Sequence, residues 1–156
     1  MFSKGGISIK ESSDYDYFDS VVAEPSIASA VSEDWQKGIE FKTKDLPEGT
    51  RFIEVSKDGS RCGFFCFQPS QEGYEQHTVL TENCRGVSAI TAGKLAIDLL
   101  RSITGCKVLT SFVFANEPHT KWYASKLGFS ECGVLCKSFH AGEETDVIFL
   151  RKQLEE

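Results

Sequence analysis

No stretch of the chain approaches the ~20 consecutive apolar residues that span a bilayer, and the opening segment MFSKGGISIKESSD lacks the apolar core of a secretory signal. A cytoplasmic protein without membrane partners is expected. Basic residues are also scarce: 17 Lys and Arg against 23 Asp and Glu give a formal charge of −6 and a pI near 5.1. Such a chain has no surface with which to neutralise a run of phosphates, so nucleic acid is not an expected partner. Internal repeats and low-complexity tracts are missing too. The 156 residues are enough for one domain with a real core and too few for two ordinary ones.

Cysteine is present in number: Cys62, Cys66, Cys84, Cys106, Cys132 and Cys136. Without a secretory signal these read as reduced thiols, packed like small apolar residues. Cys62/Cys66 and Cys132/Cys136 have CxxxC spacing. On the strands assigned below, each pair falls on one face about 13 Å apart by the rise per residue, and neither pair alone chelates a zinc ion.

Periodicity orders the elements. Gly6 to Lys10 alternates as an edge or near-edge strand. Ser12 or Ser13 then caps a helix with Asp14 and Asp16 in its first turn and Tyr17, Phe18, Val21 and Val22 on one face, ending before Pro25. A short second helix is expected from Ser26 to about Ser32, followed by a surface loop from Glu33 to Gly49. Arg51–Val55 and Cys62–Gln68 form a hairpin around Asp58-Gly59, and Tyr74–Thr81 is a further strand. Ser88–Arg101 is a helix with a broad apolar face, ended by Gly105, and Lys107–Ala115 is a buried strand. Glu117–Leu127 is helical, closed by Gly128. Two last strands, about Phe129–Lys137 and Asp146–Arg151, flank a loop from Ser138 to Glu144. The sum is an α/β (α+β) domain: a mixed, mostly antiparallel sheet with about four helices, in which one crossover joins two neighbouring strands.

Two short segments carry a resemblance. Glu82-Asn83-Cys84-Arg85-Gly86 lies between a strand and the long helix. Asn116 follows the buried strand and precedes Trp122, Tyr123, Lys126, Leu127, Gly128 and Phe129. With the element order, these resemble the GNAT family of N-acetyltransferases: the first its pyrophosphate loop, R/Q-x-x-G-x-G/A, the second its Asn…Tyr…Gly-Phe segment. If Arg85 opens the motif, Ser88 and Ile90 stand where the family has its two glycines. Tyr123 has the family's spacing from Asn116, whereas counting back from Gly128 selects Ala124.

The resemblance implies a GNAT acyltransferase fold, acetyl-CoA as co-substrate, and a small-molecule or protein amine as acceptor. It implies cofactor contacts from Val79, Leu80, Arg85, Gly86, Val87, Ser88 and Asn116. Within the family, the strand YEQHTV and the segment Glu24-Pro25-Ser26-Ile27 look most like divergent bacteriophage-encoded members, some of them virion or head-assembly proteins. That likeness implies a second reading, a non-catalytic assembly protein with virion partners.

The chemistry follows from the residue types. A turn into a helix start leaves several N–H groups unpaired, and these with the helix dipole attract a diphosphate. Arg85 adds a charge-assisted contact or is a solvated surface residue. Glu75 and His77 alternate onto one face of their strand, and either suits a general base; the same pair also suits a cross-strand polar contact. Tyr123 is the candidate acid toward sulfur, unless it and Trp122 only pack the last helix on the sheet. By the resemblance Asn116 bonds the pantetheine arm, whereas its place after a strand equally suits a cap on the next helix. Cys84 sits by Arg85 near a helix start, a setting that lowers a thiol pKa. His119 and His140 read as surface residues. Glu40, Asp45 and Glu48 are compatible with a cationic acceptor or with a solvated rim.

Overall fold

A computed structural model describes residues 2–27 and 42–154. The alternating first half of the chain builds an antiparallel meander: β1 (Phe2–Lys4), β2 (Ile7–Glu11), β3 (Arg51–Lys57), β4 (Ser60–Pro69) and β5 (Tyr74–Leu80). β1 was not apparent in the sequence; it makes Ile7–Glu11 the second strand in from the edge. The hairpin β3–β4 turns on Asp58 and Gly59, with φ of 51° and 86°, the twist that suits tight hairpins.

α1 (Tyr15–Val22) starts where Asp14 accepts a hydrogen bond from the Tyr17 N–H. The expected second helix lies mostly outside the described residues, and so does the loop up to residue 41; Thr43–Asp45 forms a short 3-10 turn. A longer helix, α2 (Val87–Thr104), crosses from β5 to β6 (Val108–Phe114) and ends at Gly105 in the left-handed conformation. α3 (Pro118–Lys126) follows, then β7 (Ser130–His140) and β8 (Glu143–Gln153). The loop expected from Ser138 to Glu144 is a tighter turn at Ala141-Gly142, with φ of 55° and 80°. Both strands therefore run longer than expected.

The eight strands lie in the order β1-β2-β3-β4-β5-β6-β8-β7, and only β5 and β6 run parallel. α2 and α3 cover one face. There Ala89, Ala92, Ala96 and Leu100 meet Ile9, Ile53, Phe65, Phe67, Leu109 and Leu150. Small residues along α2 let it sit close to the strands, and each large side chain buried here contributes about 1.5–3 kcal/mol. On the other face Phe18 of α1 stacks on Phe52 at 5.0 Å and tilts against Phe64 at 4.6 Å.

A bulge revises the placement of Cys62 and Cys66. Glu54 opposes Phe64 while Ser56 opposes Arg61, so β4 carries an extra residue between them. The alternation slips there, and Cys62 packs with the α2 face while Cys66 packs with the α1 face.

Candidate active site

β5 and β6 are in register only at Tyr74–Leu109 and Glu75–Thr110. Beyond those pairs β5 stays laddered to β4 as far as Leu80, and β6 to β8 as far as Phe114. The two strands therefore splay into a V-shaped gap. Its closed end is set by Gly73, where a Cβ would stand 2.1 Å from the Val108 carbonyl oxygen. Ser111 Oγ donates to the Gln76 carbonyl at 2.9 Å just above it.

Main-chain direction along β5 follows from two bonds. Thr81 N–H donates to Cys62 O at 3.0 Å, so by the antiparallel alternation Val79 and His77 also point their amides at β4. Gln76, Thr78 and Leu80 then face β6, as the Gln76 carbonyl does. Of the two amides expected at the gap, that of Leu80 faces it and that of Val79 is directed into the ladder.

Side chains alternate likewise. Glu75, His77 and Val79 lie on the α1 face, and His77 Nε2 sits 3.1 Å from Glu75 Oε2, both side chains about one-third exposed. Phe112 of β6 meets the His77 ring edge-on at 5.7 Å. The local pair foreseen from the spacing is thus formed, at one lip of the gap.

Tyr123 reaches the gap from the opposite face. Its hydroxyl donates to Ala89 O at 2.8 Å, in space left free by Gly93, where a Cβ would come within 2.7 Å of it. Burial raises the phenol well above its usual range, with the Thr78 side chain opposing the shift. Ala124, the other candidate from motif counting, is a core residue. Trp122 is exposed, so the two aromatics do not pack as a unit.

At the open end, Thr81–Gly86 leads into α2. The Thr81 hydroxyl lies against Asn83 Oδ1, and Cys84 N–H donates to Thr81 O at 3.0 Å. Gly86 is the N-cap of α2, at φ 60° and ψ −128°, with no side-chain cap. That backbone conformation belongs to glycine, and nothing lies within 4 Å of where a Cβ would be. The first N–H groups of α2, from Val87 and Ser88 onward, have no partner within the helix, and Arg85 is exposed beside them.

Asn116 stands at the C-terminal end of β6. It does not cap α3, whose N-cap is Glu117. Its Nδ2 donates to His140 O at 2.9 Å and its N–H to Thr145 Oγ1 at 3.1 Å, while Oδ1 is buried with no partner among the described residues. His140 is not a surface residue. It is fully buried, stacked on Phe114 at 4.0 Å, with Nε2 2.9 Å from Glu117 Oε1. Sequence reasoning missed it because the longer β7, which carries it inward, depends on the tight turn at Ala141-Gly142.

The sheet order, the splayed parallel pair, and helices after β5 and β6 define the GNAT N-acetyltransferase fold. Among solved structures, spermidine N-acetyltransferase from Vibrio cholerae, in complex with CoA and spermine, matches at a TM-score of 0.75 and 16% identity, over 95% of each chain. A chimera of that enzyme with hSSAT matches at 0.73 and 14%, over 96% of each chain. A protein described provisionally as a phosphinothricin N-acetyltransferase matches at 0.67 and 18%, over 96% of this chain and 99% of its own. No protein-family model and no curated protein matches the sequence. At these identities the likeness is one of fold. The bacteriophage-like subtype has no counterpart among these three structures.

Proposed function

We propose that this protein transfers an acetyl group from acetyl-CoA to a primary amine. The observation that carries the reading is the gap between β5 and β6, with main-chain donors of β5 that no described strand pairs along one edge and a glycine-started helix at its mouth. The neighbours of known name, one of them in complex with CoA and spermine, support the same class of chemistry.

The residues fit the co-substrate. Gly86 leaves open space where phosphate would approach, and the α2 N–H groups with Arg85 supply charge and donors for it. Counted from that glycine, the loop reads Asn83-Cys84-Arg85-Gly86-Val87-Ser88. This register, two residues from the one first expected, keeps the first motif glycine at Gly86 and puts Ser88 at the second. Asn116 Oδ1, just beyond the C-terminal end of β6, is an acceptor with no partner among the described residues, suited to an amide N–H of a pantetheine arm.

When bound, acetyl-CoA supplies a thioester open to attack by an amine. His77, held by Glu75, accepts the proton that the incoming ammonium must lose. The Leu80 N–H is directed to where the acyl oxygen gains charge. Tyr123 stays protonated across the neutral range, because burial raises it, and its proton is available to the leaving sulfur once its bond to Ala89 O is exchanged. A thiol-release assay with acetyl-CoA and a panel of primary amines tests the reading. Amine-dependent release is expected; its absence with every amine, together with no coenzyme A binding, would overturn it.

A further inference from the structure

Beneath the loop that opens α2, two cysteines meet. Cys62 sits at the β4 bulge and Cys84 in the loop; both are fully buried and both belong to the larger apolar cluster. Thr81 joins their backbones: its N–H donates to Cys62 O and its carbonyl accepts from Cys84 N–H, each at 3.0 Å. A hydrogen bond between their thiols is the leading influence on the ionisation of each, so the two side chains are neighbours within that buried cluster, the proximity on which a disulfide depends. Cys132 and Cys136, by contrast, are exposed.

We propose that Cys62 and Cys84 are a dithiol site that a low-molecular-weight disulfide converts to an intramolecular disulfide, pinning the loop to the sheet. The two sulfurs have unequal roles. The hydrogen bond from Cys62, with the charges of Lys57 and Arg85, favours thiolate at Cys84, whereas the same bond and burial hold Cys62 protonated. Cys84 attacks one sulfur of the oxidant and expels its partner as a thiolate. Cys62 then gives up its proton and attacks the Cys84 sulfur, expelling the second thiolate. The protein loses two electrons and two protons, and one disulfide becomes two thiols. Because both sulfurs are buried, the loop must open first.

The test treats the reduced full-length chain with glutathione disulfide, blocks the remaining thiols with N-ethylmaleimide, and maps the products by mass spectrometry. A 62–84 linked peptide that dithiothreitol reverses is expected, formed equally in a Cys132→Ser/Cys136→Ser variant. Cys84 ending as a stable glutathione adduct with Cys62 free would overturn the proposal. So would loss of the link in the double variant, since the exposed thiols would then have relayed it. Saturating coenzyme A is expected to slow the link about tenfold by holding the loop closed, an arm that rests on the proposed function. An unchanged rate with the link intact supports the dithiol and counts against the coenzyme A reading alone.

Discussion

The two edges of β6 behave differently. Against β8 it is paired from Val108–Gln153 through Phe114–Val147; against β5 it is paired only at Leu109 and Thr110. Ser111 to Phe114 are thus held rigidly from one side and left open on the other. A strand in the middle of a sheet seldom leaves main-chain groups unmatched, because each one buried without a partner is costly. Helix starts repeat the contrast: α1 is capped by the side chain of its own Asp14, whereas α2 has Gly86 and no side-chain cap. The open edge of β6 and the open start of α2 both border the gap at the end of β5.

Attacking the open side should have the largest effect. His77→Ala is expected to lower kcat by about 100-fold or more while leaving coenzyme A affinity unchanged, which separates base chemistry from binding in steady-state and calorimetric measurements. Forcing the closed end apart comes next. In Gly73→Val the new side chain meets the Val108 carbonyl, and a loss of about 1–3 kcal/mol in urea unfolding is expected. Tyr123→Phe removes the hydroxyl's bond to Ala89 O, a carbonyl that also accepts within α2, costing about 1 kcal/mol of stability, and it lowers kcat without altering coenzyme A affinity. On the fully paired side, Val134→Thr on the exposed β7 is expected to stay within about 0.5 kcal/mol.

Alkali offers one further check on the zipped half. Burial pushes the Cys66 thiol, which faces His77 across the β4–β5 ladder, from 9.0 up to about 12. The group is neutral when folded, so its contribution is whole below pH 9 and lost as pH rises through about 12. Urea midpoints should fall over that window, and less so in Cys66→Val.

Much of the fold was legible because periodicity and turn residues are local. The Asp58-Gly59 hairpin, the apolar face of α2, and the stop at Gly105 needed nothing beyond neighbouring residues. Register was not legible. The β4 bulge, which sends Cys62 and Cys66 to opposite faces, and the Ala141-Gly142 turn, which draws His140 into the core, depend on how strands pair across the sheet. The site divides in the same way. Glu75 and His77 follow from alternation along one strand, whereas the Leu80 amide, the Tyr123 bond to Ala89 and the unpaired Asn116 oxygen arise from strands and helices distant in sequence. The motif register could not be counted either, since only the backbone conformation marks Gly86 as the glycine that the turn requires.

Calorimetric titration of the full chain with coenzyme A tests the central claim most directly. One site per chain is expected, with affinity reduced about five- to tenfold in Arg85→Ala, as for the loss of one charge-assisted contact of about 1–1.4 kcal/mol. A chain that shows no binding heat at millimolar coenzyme A, while remaining folded, would contradict it.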